Sequence, residues 1–327
     1  MLFSLSESSL ALETEDPHLL DAVASVLGPP PPPLDSRPSL RAVVEGPGPD
    51  GWGRIGLSAG DGRSLADADT DLRLGFDSPE FPFEARAPEE PGALRLAFRG
   101  EAEPVLICRG EEVRFQAVPG WRKAVAFLLF HRLVGLRADA LFFHAASVGV
   151  EGRGALLVGP KGAGKSTLAL ALAALGHDFL GDETACYLPA GGTIIPLRRP
   201  VAVKPGPRAR AVDEALARVR PPADADGIVR VPVDALLDVA PARALPLRAV
   251  LFLDGFGPEA QVERATPGRD DLARLQPFSS SLVAAPRAQR VFEMARLLSA
   301  VRVFRVRHGD PDATAERAAR ALGGAWA

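Results

Sequence analysis

The segment of residues 159–166 has the sequence Gly-Pro-Lys-Gly-Ala-Gly-Lys-Ser, which fits the G-x-x-x-x-G-K-S pattern of a phosphate-binding P-loop. Glycines at this spacing let successive backbone N–H groups converge on phosphate oxygens, and the N-terminus of a following helix adds positive potential. The pattern has this meaning only between a strand and a helix. Apolar runs over residues 154–158 and 167–175 predict both. The sequence therefore predicts an α/β domain that binds a nucleotide.

The side chains of this loop predict how a nucleoside triphosphate is held. Lys165 is expected to reach the β- and γ-phosphates, and the hydroxyl of Ser166 is expected to bind Mg²⁺. A glycine-rich turn that arose by chance is the alternative, but Lys165 is one of only four lysines in the chain. The residues predicted to bind ATP are Gly159, Pro160, Lys161, Gly162, Ala163, Gly164, Lys165, Ser166 and Thr167.

The rest of the chain changes its periodicity near residue 121. Before it, a helix is predicted over 17–27, a proline run fills 29–33, and alternating segments at 72–76, 94–98 and 113–115 predict antiparallel strands. After it, helical spacing over 121–137 is followed by strands at 140–143, 155–158, 250–253 and 301–306 and by helices at 166–175, 286–300 and 312–322. We therefore expect a β-rich domain over 1–120 and a three-layer α/β domain over 121–327.

The composition excludes several classes of protein. The 38 basic and 41 acidic residues give a net charge of −3 with no basic block, which argues against binding to nucleic acid. There is no apolar stretch of the ~20 residues that a membrane helix needs, and no basic residue precedes the short apolar N-terminal segment. Two cysteines make neither a disulfide framework nor a zinc site. We expect a cytoplasmic protein with no membrane partner; this composition is compatible with a homo-oligomer.

Carboxylates follow two of the predicted strands, at the sheet edge where ligands of α/β proteins bind. Asp182 and Glu183 come after a short strand at 179–180, and Asp254 comes directly after the strand at 250–253. A polar turn is the alternative for each place. Two adjacent carboxylates repel each other unless a cation holds them, which favours a Mg²⁺ site at the pair.

The spacing of these groups resembles the catalytic core of bacterial HPr kinase/phosphorylase. His144 lies fifteen residues before Gly159, and Gly176-His177 and Asp182-Glu183 follow Lys165 at offsets of 11, 12, 17 and 18. The resemblance covers about residues 140–185 and implies a P-loop kinase domain of the HPr kinase and phosphoenolpyruvate carboxykinase type.

The resemblance also implies roles for individual residues. His144 and one carboxylate of the pair would flank the γ-phosphate, and that carboxylate would take the proton of an attacking serine. By position, Glu183 corresponds to this base and Asp182 to its neighbour on the metal side, although either residue of the pair could be the base. A hydrogen-bonded core residue is the alternative for His144, and a capping role at the helix-to-strand turn is the alternative for His177.

The sequence departs from that family in three places. The second Asp of the pair is Glu183 here, and the stretch Arg199–Pro205 stands where the family has a Mg²⁺-ligating Glu. Only Pro286-Arg287 and Arg290 partly match the segment that serves the reverse reaction, phosphorolysis, in that family. Lys204 is a further candidate anion contact. We therefore expect a divergent relative that uses ATP and Mg²⁺ to phosphorylate a serine of a protein or peptide. The alternatives are a nucleotide-dependent binding or assembly module with little turnover and a kinase for a small metabolite.

Overall fold

The computed structural model divides the chain into two compact units. Unit 1 comprises Met1–Ala138 and Ser280–Ala285, and unit 2 comprises Asp139–Ser279 and Pro286–Ala327. The residues described are 1–5, 8–28, 38–62, 65, 83–86, 93–137, 139–280 and 287–326. The proline run at 29–33 and the predicted strand at 72–76 lie outside them.

Unit 1 is a sheet of eight described strands in the order β1-β2-β3-β4-β8-β7-β6-β5. All neighbours are antiparallel except β2 and β3. Its elements are β1 (Leu2–Leu5), β2 (Ser8–Thr14), α1 (Pro17–Leu27), β3 (Leu40–Glu45), β4 (Trp52–Ala59), β5 (Phe83–Arg86), β6 (Leu94–Phe98), β7 (Pro104–Arg109), β8 (Glu112–Gln116) and α2 (Trp121–Gly135).

The helix α2 belongs to unit 1. It packs against α1 and against β2 and β7, and the ring of Trp121 at its start stacks on Phe115 at a centroid distance of 4.4 Å. Because this helix covers the antiparallel sheet, unit 1 extends to residue 138, beyond the boundary at 120/121 expected from the change in periodicity.

Unit 2 contains the P-loop segment and most of the remaining elements. They are β9 (Leu141–Phe143), β10 (Ala146–Val150), β11 (Arg153–Val158), α3 (Lys165–Ala174), β12 (Asp178–Gly181), β13 (Ala185–Leu188), β14 (Thr193–Ile195), β15 (Val201–Val203), α4 (Arg210–Val219), β16 (Val229–Val231), α5 (Val233–Leu236), β17 (Leu245–Phe256), β18 (Gln261–Ala265), α6 (Arg269–Leu275), β19 (Ser279–Ser280), α7 (Arg287–Ala300), β20 (Arg302–His308) and α8 (Pro311–Trp326).

Three parallel strands form the centre of the unit 2 sheet. β17 lies between β11 and β20 and is parallel to both. β10 and then β12 extend the sheet beyond β11 as antiparallel neighbours, and β18 extends it beyond β20. The carboxyl ends of the three parallel strands therefore lie at one edge, and the P-loop follows β11 at that edge.

Successive residues of the central strands face opposite layers of helices, as expected for a sheet buried on both sides. Leu157 and Leu251 pack in one core with residues of α3 and α8. Leu156 and Val250 pack in the other core with residues of α7. The fold is thus mixed α/β with mixed sheets, which confirms the predicted class at this level. No helix in the described part of the chain has the length and hydropathy to cross a membrane.

Candidate functional site

The P-loop connects β11 to α3 through two glycines in the left-handed region. Gly162 has φ 84° and Gly164 has φ 89°, values that residues with a Cβ rarely adopt. Gly164 is the N-cap residue of α3 and has no side chain to accept from the first turn. Because the first turn of an α-helix has N–H groups without intrahelical partners, this turn and the helix dipole favour an anion at this position.

The ammonium group of Lys165 is held inside the loop. Its Nζ donates to the carbonyl oxygens of Gly159 at 2.6 Å and Pro160 at 3.2 Å, and the side chain is buried. Lys161, by contrast, is exposed. The two lysines of the loop therefore differ in environment, and only Lys165 brings its charge to the base of the loop.

Asp182 is a buried carboxylate beside the start of α3. It is 4% exposed, and neither carboxylate oxygen has a hydrogen bond of normal geometry to a described residue. Burial and the neighbouring Glu183 raise the pKa of Asp182 to about 6, against the lowering effect of the Ser166 hydroxyl, the Glu183 backbone and the Lys165 ammonium. Asp182, Ser166 and Lys165 therefore form one cluster, with an unsatisfied acceptor at its centre.

Glu183 differs from its neighbour in exposure and in partner. Its side chain is 46% exposed, and its backbone has φ 62°, which is uncommon for a residue other than glycine. Its Oε2 lies 3.9 Å from Nη1 of the buried Arg199. Burial lowers the pKa of Arg199, while the Glu183 and Asp182 carboxylates raise it. The positive charge of the Arg199 guanidinium therefore already lies close to the carboxylates of Asp182 and Glu183.

Strand register brings His144 to the same place. Phe143 of β9 lies opposite Ala185 of β13, and Ser147 of β10 lies opposite Gly181 of β12. The bend that contains His144 is thus alongside residues 182–184, and its backbone N–H donates to the carbonyl of Phe278 at 2.7 Å. The sheet thus places the backbone of His144 next to residues 182–184, and the role of His144 in a site stays a prediction.

Asp254, Gly176 and His177 make other contacts in the structure. Asp254 lies within β17, which continues to Phe256, and so does not follow its strand. Its carboxylate pairs with Arg274 of α6.

Gly176, which has φ 87°, and His177 end α3, since their N–H groups donate to the carbonyls of Ala173 and Leu172. This confirms the capping alternative for the backbone of His177.

Lys204 lies on the surface after β15. It is exposed, and its carbonyl accepts from Nη1 of Arg208 at 2.7 Å. Lys204 stays a candidate anion contact on the sequence evidence alone.

His308, at the end of β20, was not found by sequence reasoning. It is 3% exposed, and a Cβ built on Gly164 would lie 2.8 Å from its Nε2. Burial lowers the pKa of His308, and the backbone of Ala163 raises it. No sequence pattern pointed to this residue, because a single His at the end of a strand far along the chain carries no motif. The imidazole supports the P-loop from the β20 side.

No family model and no curated protein matches this sequence. A solved structure of the Hpr(Ser) kinase/phosphatase from Coxiella burnetii is similar over 57% of this chain and 93% of that chain, with 15% sequence identity and a TM-score of 0.25. The function is therefore inferred from the side chains around the P-loop.

The site fits a magnesium–nucleotide complex. Carboxylate and hydroxyl oxygens are ligands that Mg²⁺ accepts, and it usually takes one or two carboxylates together with phosphate oxygens and waters. Asp182 and Ser166 provide such oxygens, and no hydrogen bond of normal geometry from the described residues reaches those of Asp182. Across the described residues there is no group of three or more His, Cys, Asp or Glu that could hold a metal by itself. A Mg²⁺ ion held by Asp182 and Ser166 would take its remaining ligands from phosphate oxygens and waters.

Proposed function

We propose that this protein is a kinase that transfers the γ-phosphoryl group of ATP to a serine hydroxyl of a protein or peptide, in a Mg²⁺-dependent reaction. One observation carries the proposal. The unsatisfied, buried carboxylate of Asp182 lies beside Ser166 and Lys165 of the P-loop, with the exposed Glu183 next in the chain. A phosphate-binding loop, a metal-side carboxylate and a solvent-facing carboxylate are the parts that phosphoryl transfer requires.

The P-loop would hold the triphosphate. Its backbone N–H groups and the N-terminus of α3 favour the anionic oxygens, and Lys165 would exchange its carbonyl acceptors at Gly159 and Pro160 for phosphate oxygens. Ser166 and Asp182 would hold Mg²⁺, which supplies neutralisation of the charge on the phosphate oxygens. Because its pKa is about 6, Asp182 is ionised and able to do so above that pH.

The acceptor would approach from the side of Glu183. Its carboxylate accepts the proton of the attacking serine hydroxyl as the new oxygen–phosphorus bond forms and the bond to the β-phosphate oxygen breaks. The guanidinium of Arg199 holds Glu183 at 3.9 Å, and His144 lies in the adjacent bend. Catalysis would consist of positioning and charge stabilisation, with no covalent enzyme intermediate.

The experiment that tests this function follows radiolabelled phosphate from ATP to acceptors. Purified protein is incubated with Mg²⁺ and ATP labelled at the γ-phosphate, together with peptide arrays that contain Ser, Thr or Tyr and with a panel of small hydroxyl-bearing metabolites. We expect label on serine peptides with the wild type and loss of label with Glu183→Gln. Glu263→Gln, which changes an exposed carboxylate on β18, is the matched control and should behave as the wild type.

Other outcomes would assign a different function. Nucleotide binding without transfer to any acceptor, unchanged by Glu183→Gln, would identify a nucleotide-dependent binding or assembly module. Label found on metabolites and not on peptides would identify a small-molecule kinase.

A further inference from the structure

The strand order around the P-loop indicates the direction in which a bound nucleoside triphosphate would extend. β10 and β12 lie on one side of β11, and Asp182 follows β12. β17 and β20 lie on the other side of β11. With the reacting γ-phosphate beside Asp182 and Glu183, a nucleoside end that points away from these carboxylates along the sheet edge would extend to the side of β17 and β20.

An exposed aromatic side chain stands at that second side. Phe256 ends β17 and is 67% exposed, although a phenylalanine ring gains stability from burial. It follows Gly255, whose φ of 95° accompanies an irregular register between β17 and β20. The strand therefore turns this ring outward next to the loop that holds phosphate.

The ring of Phe256 has His308 behind it. The two residues are partners in the β17–β20 register, and their ring centroids lie 5.3 Å apart at an interplanar angle of 31°. His308 in turn packs against Gly164 of the P-loop, and its buried Nε2 has no hydrogen bond to a described residue. Phe256, His308 and Gly164 thus form a continuous contact from the phosphate loop to the exposed ring.

We infer that Phe256 is the residue on which the base of the bound nucleotide stacks, with His308 holding that ring beside the P-loop. The inference rests on the proposed function, because it takes its direction from the position of the γ-phosphate. The occupant is the flat heterocycle of a nucleoside triphosphate. Such a base has a π-face that an aromatic side chain recognises without hydrogen bonds. Phe256 would then contribute to affinity for ATP and contribute nothing to affinity for the phosphate chain.

Binding of ATP is therefore compared with binding of inorganic tripolyphosphate, both with Mg²⁺, by isothermal titration calorimetry on the full chain. We expect Phe256→Ala to weaken ATP binding about tenfold or more, the usual worth of one base–aromatic stack, and to leave tripolyphosphate binding as in the wild type. Phe256→Trp should retain ATP binding, and the fluorescence of the new indole should change with ATP and not with tripolyphosphate.

The chain offers a matched control in Phe292. It is a phenylalanine on α7 that is 66% exposed and is not among the residues proposed to hold the nucleotide, so Phe292→Ala should bind both ligands as the wild type does. Unchanged ATP binding in Phe256→Ala, an equal loss of both ligands, or the same ATP loss in Phe292→Ala would each overturn the inference while leaving the P-loop assignment intact. A wild type that binds neither ligand would overturn the proposed function and this inference together.

Discussion

The imidazole of His308 occupies the space in which a side chain on Gly164 would lie. A Cβ at position 164 would be 2.8 Å from Nε2 of His308, closer than real Cβ atoms approach, and 3.1 Å from its Cε1, a tight contact. Gly164 also has φ 89°, so both its backbone conformation and its neighbour exclude a Cβ. Glycine is therefore favoured at position 164 both by its backbone conformation and by the imidazole of His308 on β20.

Substitution of Gly162 and of Gly164 by alanine should separate the energetic cost of backbone strain from that of overpacking against His308. Gly162 has φ 84° but nothing within 4 Å of a built Cβ, so Gly162→Ala should lose about 1 kcal/mol from backbone strain alone. Gly164→Ala adds overpacking against His308, with a total loss of about 2–4 kcal/mol. Thermal unfolding measures both, and equal shifts in Tm would show that His308 yields without cost.

Lys165 and Lys161 form a second matched pair. Lys165→Ala should abolish stabilisation by ATP, because the variant removes the buried charge from the loop that would meet the β- and γ-phosphates. Lys161→Ala removes an exposed charge from the same loop and should keep most of the stabilisation. The measurement is the rise in Tm with saturating Mg²⁺ and ATP. An equal rise in wild type and Lys165→Ala would contradict the P-loop assignment.

The carboxylate of Asp182 should make the free protein less stable at neutral pH. Its native pKa of about 6 is above the ordinary value of 3.8, so the native state binds the proton more tightly than the unfolded state. The free energy of unfolding therefore falls as pH rises from about 4 to about 6, by on the order of 3 kcal/mol at about 1.4 kcal/mol per pH unit.

Asp182→Asn tests this contribution. The variant should unfold at a higher temperature than the wild type at pH 7.5 without ligand, and its Tm should lose that part of the pH dependence. Asp226→Asn, at an exposed carboxylate of unit 2, is the control and should leave the profile unchanged. A lower Tm at pH 7.5 in Asp182→Asn would mean that the ionised carboxylate is stabilised in the free protein.

The two carboxylates should affect turnover differently. Glu183→Gln should keep ATP affinity and lower the rate of phosphoryl transfer by ~10²–10⁴, the usual contribution of general acid–base catalysis. Asp182→Asn should raise the Mg²⁺ concentration needed for half-maximal rate more than it lowers the saturated rate. Steady-state kinetics of both variants over a range of Mg²⁺ concentrations distinguishes the role of a general base from that of a metal ligand. The reverse pattern would assign the base to Asp182 and the metal side to Glu183.

Local patterns predicted several elements well. The helix over 17–27 has the predicted bounds, because Asp16 accepts from the N–H groups of His18 and Leu19 and Gly28 ends it. The strand at 94–98 also has the predicted bounds, and α3 differs by one residue at each end. In each case the apolar pattern and the capping groups lie within a few positions of the element in the chain. Both can therefore be recognised from the sequence alone.

The sequence by itself determined the P-loop between a strand and a helix, and the mixed α/β character of the chain around it. It also singled out Asp182 and Glu183, which come directly after a predicted strand, and the resemblance to the HPr kinase/phosphorylase core singled out His144. Only the tertiary structure decided that Arg199 lies beside Glu183, that Arg274 engages Asp254, and that His308 supports Gly164. These contacts are made between side chains of different strands, helices and loops. They depend on strand order and on side-chain packing across the sheet, for which no local periodicity or turn chemistry exists.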